Sequence, residues 1–242
     1  MSYIDRTALV TGGNTGIGRA IAEALIADGF TVHVGSRDPE KGRAAVAELG
    51  KRADLLPLDV TDADSIRTAA QQVPRLDVLV NNAGIGDAGE TVLTVDLDLV
   101  RRIYETNVLG VVAMTAAFAP ALRGSAHPRI VNISSGTGSL SWSTGANPQF
   151  DWTRSRGGGL AYRSSKAALN AVTVYSAQAL SEDRVLVNAL APGLRRTKLN
   201  ALAASTGGDP AEAAAGALRL ATLPDSGPTG GFFSWDGTPV PW

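Results

Sequence analysis

Tyr162 and Lys166 stand four residues apart in the segment Ala161-Tyr-Arg-Ser-Ser-Lys166, a spacing that places both side chains on one face of a helix. A phenol titrates near ~10, too high for easy proton exchange at neutral pH. An ammonium held roughly 4 Å away favours the phenolate by about 4 kcal/mol at an effective dielectric of ~20. Such a pair works as a general acid or base near pH 7. Taken alone, the same spacing also describes a solvated lysine stacked beside a tyrosine on an ordinary helix surface.

The N-terminal elements supply the context. Thr7-Ala-Leu-Val-Thr11 reads as a strand, and Arg19 to Ala27 has apolar residues at helical spacing. Between them lies Gly12-Gly-Asn-Thr-Gly16-Ile-Gly18. The segment Gly12, Asn14, Thr15, Gly16, Ile17 and Gly18 is therefore a strand-to-helix turn. Its glycines allow close approach of a pyrophosphate to the helix N-terminus, where unpaired N–H groups and the helix dipole favour an anion. That context is the one a dinucleotide-binding fold requires. The next strand, Phe30 to Val34, ends in Gly35-Ser-Arg-Asp38, roughly ~20 residues past the turn, where such a fold reads the adenosine ribose. Arg37 offers a planar charged fork suited to a 2′-phosphate, and Ser36 offers a hydroxyl; a carboxylate there would instead accept from the 2′-OH of NAD. Asp38 is assigned to structure, because Asp38-Pro39-Glu40 reads as cap, first-turn proline and acidic first turn of a helix ending near Gly50. NADP(H) is expected in preference to NAD(H), which stays possible.

These residues resemble the short-chain dehydrogenase/reductase family, and the resemblance runs along nearly the whole chain. The glycine turn is similar to the family's TGxxxGxG, Asp59-Val60 to its adenine-contacting dipeptide, and Asn81-Asn82-Ala83-Gly84 to its NNAG. Asn107 follows in a long helical stretch; Ile130 to Ser135 resembles the strand ending in the catalytic serine, Tyr162 and Lys166 its YxxxK, and Pro192-Gly193 with Thr197 its PGxxxT. The resemblance implies a role for each. Ser135, preferred to Ser134 because the family pattern points to the second serine, would hydrogen-bond the substrate oxygen. Tyr162 would protonate that oxygen during reduction. Lys166 would lower the Tyr162 pKa and hold the nicotinamide ribose, and Asn107 would hold the water or backbone geometry linking Lys166 to solvent. Asn82, Ala83 and Gly84 would order the sheet and approach the adenosine ribose. Thr15 stands where some NADP-dependent relatives carry a basic residue, which leaves Arg37 with less support.

The chain has 242 residues, 44% of them hydrophobic, enough for one large α/β domain covering 1–242. Its 22 basic and 23 acidic residues form no long run, so neither a nucleic-acid nor a membrane surface is indicated, and small-molecule partners are expected. No cysteine means no disulfide or thiol chemistry, and His33 and His127 are too few and too far apart to argue for a metal site. Residues 1–6 have no signal-peptide pattern, and Val108 to Leu122 is too short for a membrane span; it reads as a buried helix, and the protein as cytoplasmic.

Strand patterns near 7–11, 30–35, 54–59, 76–81, 129–134, 184–190 and 230–235 alternate with helical ones, which predicts a single doubly wound Rossmann domain with a mostly parallel seven-stranded sheet in the order 3-2-1-4-5-6-7. Right-handed crossovers then gather the glycine turn, Asn81, Ser135 and Pro192 at the carboxyl ends of strands. Ala201 to Ala221, rich in Ala and Gly, is the best candidate for a mobile flap. The 27 residues from Ser135 to Tyr162 exceed the family's usual spacing, and the insertion at about 142–159 resembles one in the carbonyl-reductase-like branch. Its Trp142, Phe150 and Trp152 would either wall an apolar pocket or anchor the loop. Phe232 and Phe233 are read as core strand residues, and the tail after Asp236-Gly237 as packing over the cleft. The expected activity is hydride transfer between NADP(H) and a carbonyl or alcohol substrate; a non-catalytic NADP(H)-binding sensor on the same fold is the alternative. An epimerase or dehydratase would need more than the 45 residues that follow Thr197. The insertion is expected to cover the helix surfaces through which many family members form tetramers, favouring a monomer or homodimer over a homotetramer.

Overall fold

The structure, a computed structural model, describes residues 6–87, 89–147, 156–197 and 201–242. Seven parallel strands form one sheet in the order β3-β2-β1-β4-β5-β6-β7, as the alternating pattern predicts. They are β1 (Thr7–Thr11), β2 (Thr31–Ser36), β3 (Ala53–Pro57), β4 (Val78–Asn81), β5 (Arg129–Ile133), β6 (Leu186–Ala191) and β7 (Phe232–Ser234). Helices α1 (Gly16–Ala27), α2 (Pro39–Leu49) and α3 (Ala63–Gln72) follow the first three strands. After β4 come α4 (Leu97–Tyr104), a π-helical turn (Glu105–Leu109) and α5 (Gly110–Arg123); α6 (Leu140–Thr144) and α7 (Leu160–Ala179) follow β5, and α8 (Ala201–Thr206) and α9 (Pro210–Ala221) follow β6.

The central strands are largely apolar because both faces are covered. Leu9 of β1 and Leu79 of β4 pack with Met114, Phe118 and Leu122 of α5 on one face. Their neighbours Ala8, Val10, Val78 and Val80 pack with Ile21 and Leu25 of α1 and Ala217 and Leu220 of α9 on the other. This period-two alternation fixes the register: a slip of one residue would exchange the two layers.

One expectation changes here and two become more specific. Residues 210–221 are no flap: Ala213, Ala214, Gly216, Ala217 and Leu220 of α9 are buried, and α9 packs along α1, the small side chains allowing two helices to approach. The apolar run after Asn107 belongs to a continuous helix of 27 residues, Leu97–Arg123, long and apolar enough by length and composition to cross a membrane; Ile103, Val111, Met114, Phe118 and Leu122 are buried, the last three against the sheet, as in a core helix. Trp142, on α6, packs with Ala189, Ala191, Phe232 and Val240, the anchoring role rather than the pocket wall. Phe150 and Trp152 lie outside the described residues. The C-terminal tail also docks on α6: Ser139 Oγ donates to Pro241 O at 2.6 Å, Ser141 N donates to Trp242 O at 3.0 Å, and the Trp242 ring stacks on Phe232 at 5.3 Å. The described start of the insertion thus covers the β6–β7 edge, and Leu109, Val112 and Tyr175 on the two long helices stay exposed.

Candidate active site

The glycine turn joins β1 to α1 and is pinned from two sides. Gly13 N donates to Gly35 O at the end of β2, and Asn82 Nδ2 donates to Thr11 O at 2.9 Å and Gly12 O at 3.3 Å. Gly12 and Gly16 have φ of +62° and +55°, and a Cβ on Gly18 would lie 2.4 Å from both Asn82 Nδ2 and Gly12 O. Only glycine fits this sequence of turns. Thr11 Oγ1 accepts from the backbone N–H of both Asn82 and Ala83 at 2.9 Å, locking the end of β4 to the turn. Thr197 reaches over from beyond β6, its Cγ2 3.3 Å from where a Gly16 Cβ would stand.

The start of α1 differs from that of most other helices. α2, α3, α4 and α9 open with Asp38, Asp62, Asp96 and Asp209 as side-chain caps and carry an acidic residue in the first turn. α1 opens at exposed Thr15 with neither a side-chain cap bond nor an acidic first turn. Its leading N–H groups are left to an anion such as the pyrophosphate of a dinucleotide.

At the end of β2 the expected division of labour is visible. Asp38 accepts from Glu40 N and Lys41 N at 3.0 and 3.1 Å, capping α2 over Pro39 and Glu40, and pairs with Lys41. Arg37 is exposed, and no described residue pairs with it. Ser36 is buried and its Oγ donates to Asp38 O at 2.8 Å, so this hydroxyl holds the loop. Asp59 Oδ1 accepts from Thr61 N and Thr61 Oγ1, fixing the loop after β3 beside buried Val60.

Asn107 sits in the π-helical turn, a local widening that such helices often carry at functional positions. It is fully buried: Oδ1 accepts from Ile85 N, and Nδ2 donates to Ile85 O and, at 3.0 Å, to Ser165 Oγ. Ser165 Oγ in turn donates to Tyr162 O at 2.7 Å, so the two long helices are tied through one hydroxyl. Gly84 keeps the space between them open, since a Cβ there would lie 3.3 Å from Asn107 Oδ1 and 3.6 Å from Lys166 Nζ.

The adjacent serines at the end of β5 part company. Ser134 is buried and donates to Asn170 Oδ1 at 2.6 Å, a packing contact with α7. Ser135 Oγ instead lies 2.9 Å from Thr137 Oγ1, accepts from Thr137 N, and is hydrogen-bonded to the Tyr162 phenol. Lys166 is buried; its Nζ donates to Ile133 O at 2.8 Å and stands 5.7 Å from the centre of the Tyr162 ring. Burial pushes the ammonium down to about 8. The phenol moves opposite to the sequence expectation: burial pushes it up to about 12, the Ser135 hydrogen bond favours the phenolate, and the negative charge of Asp87 opposes it. Desolvation dominates here, with Nζ held by the Ile133 carbonyl 5.7 Å from the ring centre.

Past β6, Gly193 takes a φ of +70°, and Arg195 folds under it, donating through Nε to Pro192 O at 2.6 Å, pairing with Glu212 and lying 4.4 Å from the Trp235 ring centre. Asn107, Ser135, Tyr162 and Lys166 therefore converge beside the glycine turn at the carboxyl ends of the central strands. Thr137, Ser165, Arg195 and Asp87 join them without having been singled out in the sequence. The contacts of Ser165 with Asn107 and of Asp87 with Tyr162 are tertiary; sequence proximity to the motif residues could have flagged Thr137, Ser165 and Arg195, while nothing local marks Asp87.

The chain is similar to known proteins over most of its length. The family model described as short chain dehydrogenase matches residues 6–148. The chain is 36% identical over 200 residues, 78% of each chain, to the Short-chain dehydrogenase anuI of Penicillium roqueforti. It is 32% identical to (+)-neomenthol dehydrogenase of Arabidopsis thaliana, covering 95% of this chain and 96% of that one. The NADPH-bound carbonyl reductase from chicken fatty liver superposes with a TM-score of 0.85 at 31% identity, over 98% of this chain and 99% of the other. With the family model spanning more than half of the chain and relatives matching nearly all of it, this protein belongs to the short chain dehydrogenase family.

Proposed function

We propose that the protein is an NADP(H)-dependent oxidoreductase of the carbonyl reductase type, with Tyr162 as general acid and base. The observation that carries this reading is the convergence of half-buried Ser135 and Tyr162 with buried Lys166 and Asn107 beside an uncapped helix N-terminus. The glycine turn from Gly12 to Gly18 would take the pyrophosphate, Asp59 and Val60 the adenine, Asn82, Ala83 and Gly84 the adenosine ribose, and Pro192, Gly193, Thr197 and Lys166 the nicotinamide end. The bound nicotinamide supplies or accepts the hydride at the carbonyl carbon. Ser135 donates a hydrogen bond to the oxygen on which charge grows, and Tyr162 passes its phenolic proton to that oxygen. Lys166 lies close enough to balance the phenolate left behind. The NADPH bound to the chicken carbonyl reductase supports the cofactor choice, and the matched dehydrogenases support the reaction class. A panel of ketones and aldehydes followed by NADPH absorbance tests the reading; a chain that binds NADPH tightly and turns over none of the panel would favour the sensor reading.

The two serines give a paired prediction. Ser135→Ala removes a donor aimed at the developing charge and should lower kcat by ~10²–10³. Ser134→Ala should leave the chemistry and remove about 1–3 kcal/mol of stability by orphaning buried Asn170 Oδ1. Calorimetry with steady-state kinetics on both variants separates the roles, and equal losses of kcat would contradict the assignment.

Cofactor choice rests on Arg37, exposed and without a described partner at the end of β2. Arg37→Asp should move the ratio of kcat/KM from NADPH toward NADH, replacing a charge-assisted contact with a repulsive one. An unchanged ratio would show that the 2′-phosphate is bound elsewhere.

A further inference from the structure

The helix carrying Tyr162 starts without a cap of its own. Its N-cap residue is Gly159, at φ +80°, which has no side chain to bond the first N–H groups. The loop after β4 meets that need from seventy or more residues away. Asp87 Oδ2 accepts from Tyr162 N at 3.0 Å, and Glu90 O accepts from Leu160 N at 3.1 Å. A carboxylate at a helix N-terminus is also stabilised by the helix dipole. Asp87 Oδ1 meanwhile accepts from Gly89 N at 3.3 Å, which ties the carboxylate into its own loop. Acting on the phenol or its ring are Lys166 from its own helix, Ser135 from the end of β5 and Asp87 from the loop after β4, while Arg163 faces Asp87. Of these described groups Asp87 alone brings negative charge.

Building on the assignment of Tyr162 as the acid, we propose that Asp87 is a positioning residue for it: the carboxylate fixes the first turn of the catalytic helix, and its charge opposes loss of the phenolic proton. One carboxylate serves both effects: it accepts from Tyr162 N, and its charge acts on the phenol through space. The direction given for the phenol, in which burial comes first and Asp87 adds in the same sense, agrees with this. The consequence is a proton donor held in its neutral form for reduction, with Lys166 left to oppose Asp87 when the phenolate must form in the reverse direction.

The test is the pH dependence of alcohol oxidation with saturating NADP+, using an alcohol product found in the carbonyl panel. Asp87→Asn keeps an oxygen that can accept from Tyr162 N and removes the charge. It should move the midpoint of the rising limb down by about half a unit or more, which makes oxidation about threefold faster at pH values below both midpoints. Asp87→Ala, lacking cap and charge, should show the same displacement with a larger loss of plateau rate than Asp87→Asn. A profile for Asp87→Asn that superposes on that of the unaltered protein would overturn the proposal. Asp87→Ser repeats the charge removal should the Asn variant not fold, and failure of both to fold would also overturn it, by reducing Asp87 to a structural role. Tyr162→Phe run in parallel keeps the two readings apart: if it still turns over, the assignment of Tyr162 fails, whereas an inactive Tyr162→Phe with an unmoved Asp87→Asn profile sinks only the role of Asp87.

Discussion

Tyr162→Phe is expected to lower turnover by ~10²–10⁴, the contribution of a positioned general acid, while NADPH affinity measured by fluorescence titration stays close to that of the unaltered protein. The substitution removes one oxygen and keeps the ring, so its packing over the Lys166 stem survives. The phenol, pushed up to about 12 mainly by burial, remains protonated across neutral pH in the free protein. The reductive rate should therefore show no loss from phenol ionisation between pH 6 and about 9. Turnover within a few-fold of the unaltered protein would remove Tyr162 from the chemistry.

The difference between the expected and observed phenol shows which layer of the site is legible in a sequence. Spacing reports which residues share a helix face, and it placed Tyr162 and Lys166 together, as their 5.7 Å separation confirms. It does not report what lies behind the face. The Ile133 carbonyl that receives Nζ and the desolvation of both groups come from packing of α7 on β5. The strands were readable because both faces of β1, β4 and β5 are covered, which demands near-continuous apolar runs. Helix α9 was misread as a flap because Ala and Gly signal flexibility in a loop and close approach in a packed helix, and composition alone does not distinguish the two. Local capping was legible where cap and helix adjoin, as at Asp38. The cap of α7 was not, because Asp87 belongs to another strand's loop.

The same buried lysine leads to an expectation in which stability and activity move in opposite directions. Lys166 is 4% exposed, and burial lowers its pKa from 10.5 to about 8. Folding therefore works against the ammonium. The sign follows from proton binding: between pH 8 and 10.5 the unfolded chain holds more protons than the folded one, so stability rises with pH in that window, and the full penalty is present below pH 8. A shift of this size corresponds to about 3 kcal/mol, of which the hydrogen bond to Ile133 O offsets about 1 kcal/mol. Lys166→Met, similar in length and apolar, should therefore stabilise the cofactor-free protein by about 1–2 kcal/mol at pH 7. For a chain of this size that is an increase of roughly 2–8 °C in the thermal midpoint. The gain should shrink as the pH is raised from 8 to 10, where the native lysine loses its charge. Turnover should fall at least as far as in Tyr162→Phe, and NADPH binding should weaken as well, because Lys166 is assigned to both ribose and phenol. Calorimetry across pH 6–10 with kinetics on the same samples decides the matter. A midpoint that drops at neutral pH would show that the Ile133 hydrogen bond outweighs desolvation, and lost binding with unchanged kcat would confine Lys166 to holding the cofactor. A residue whose removal makes the free protein more stable and the enzyme inactive is one retained for chemistry rather than for folding.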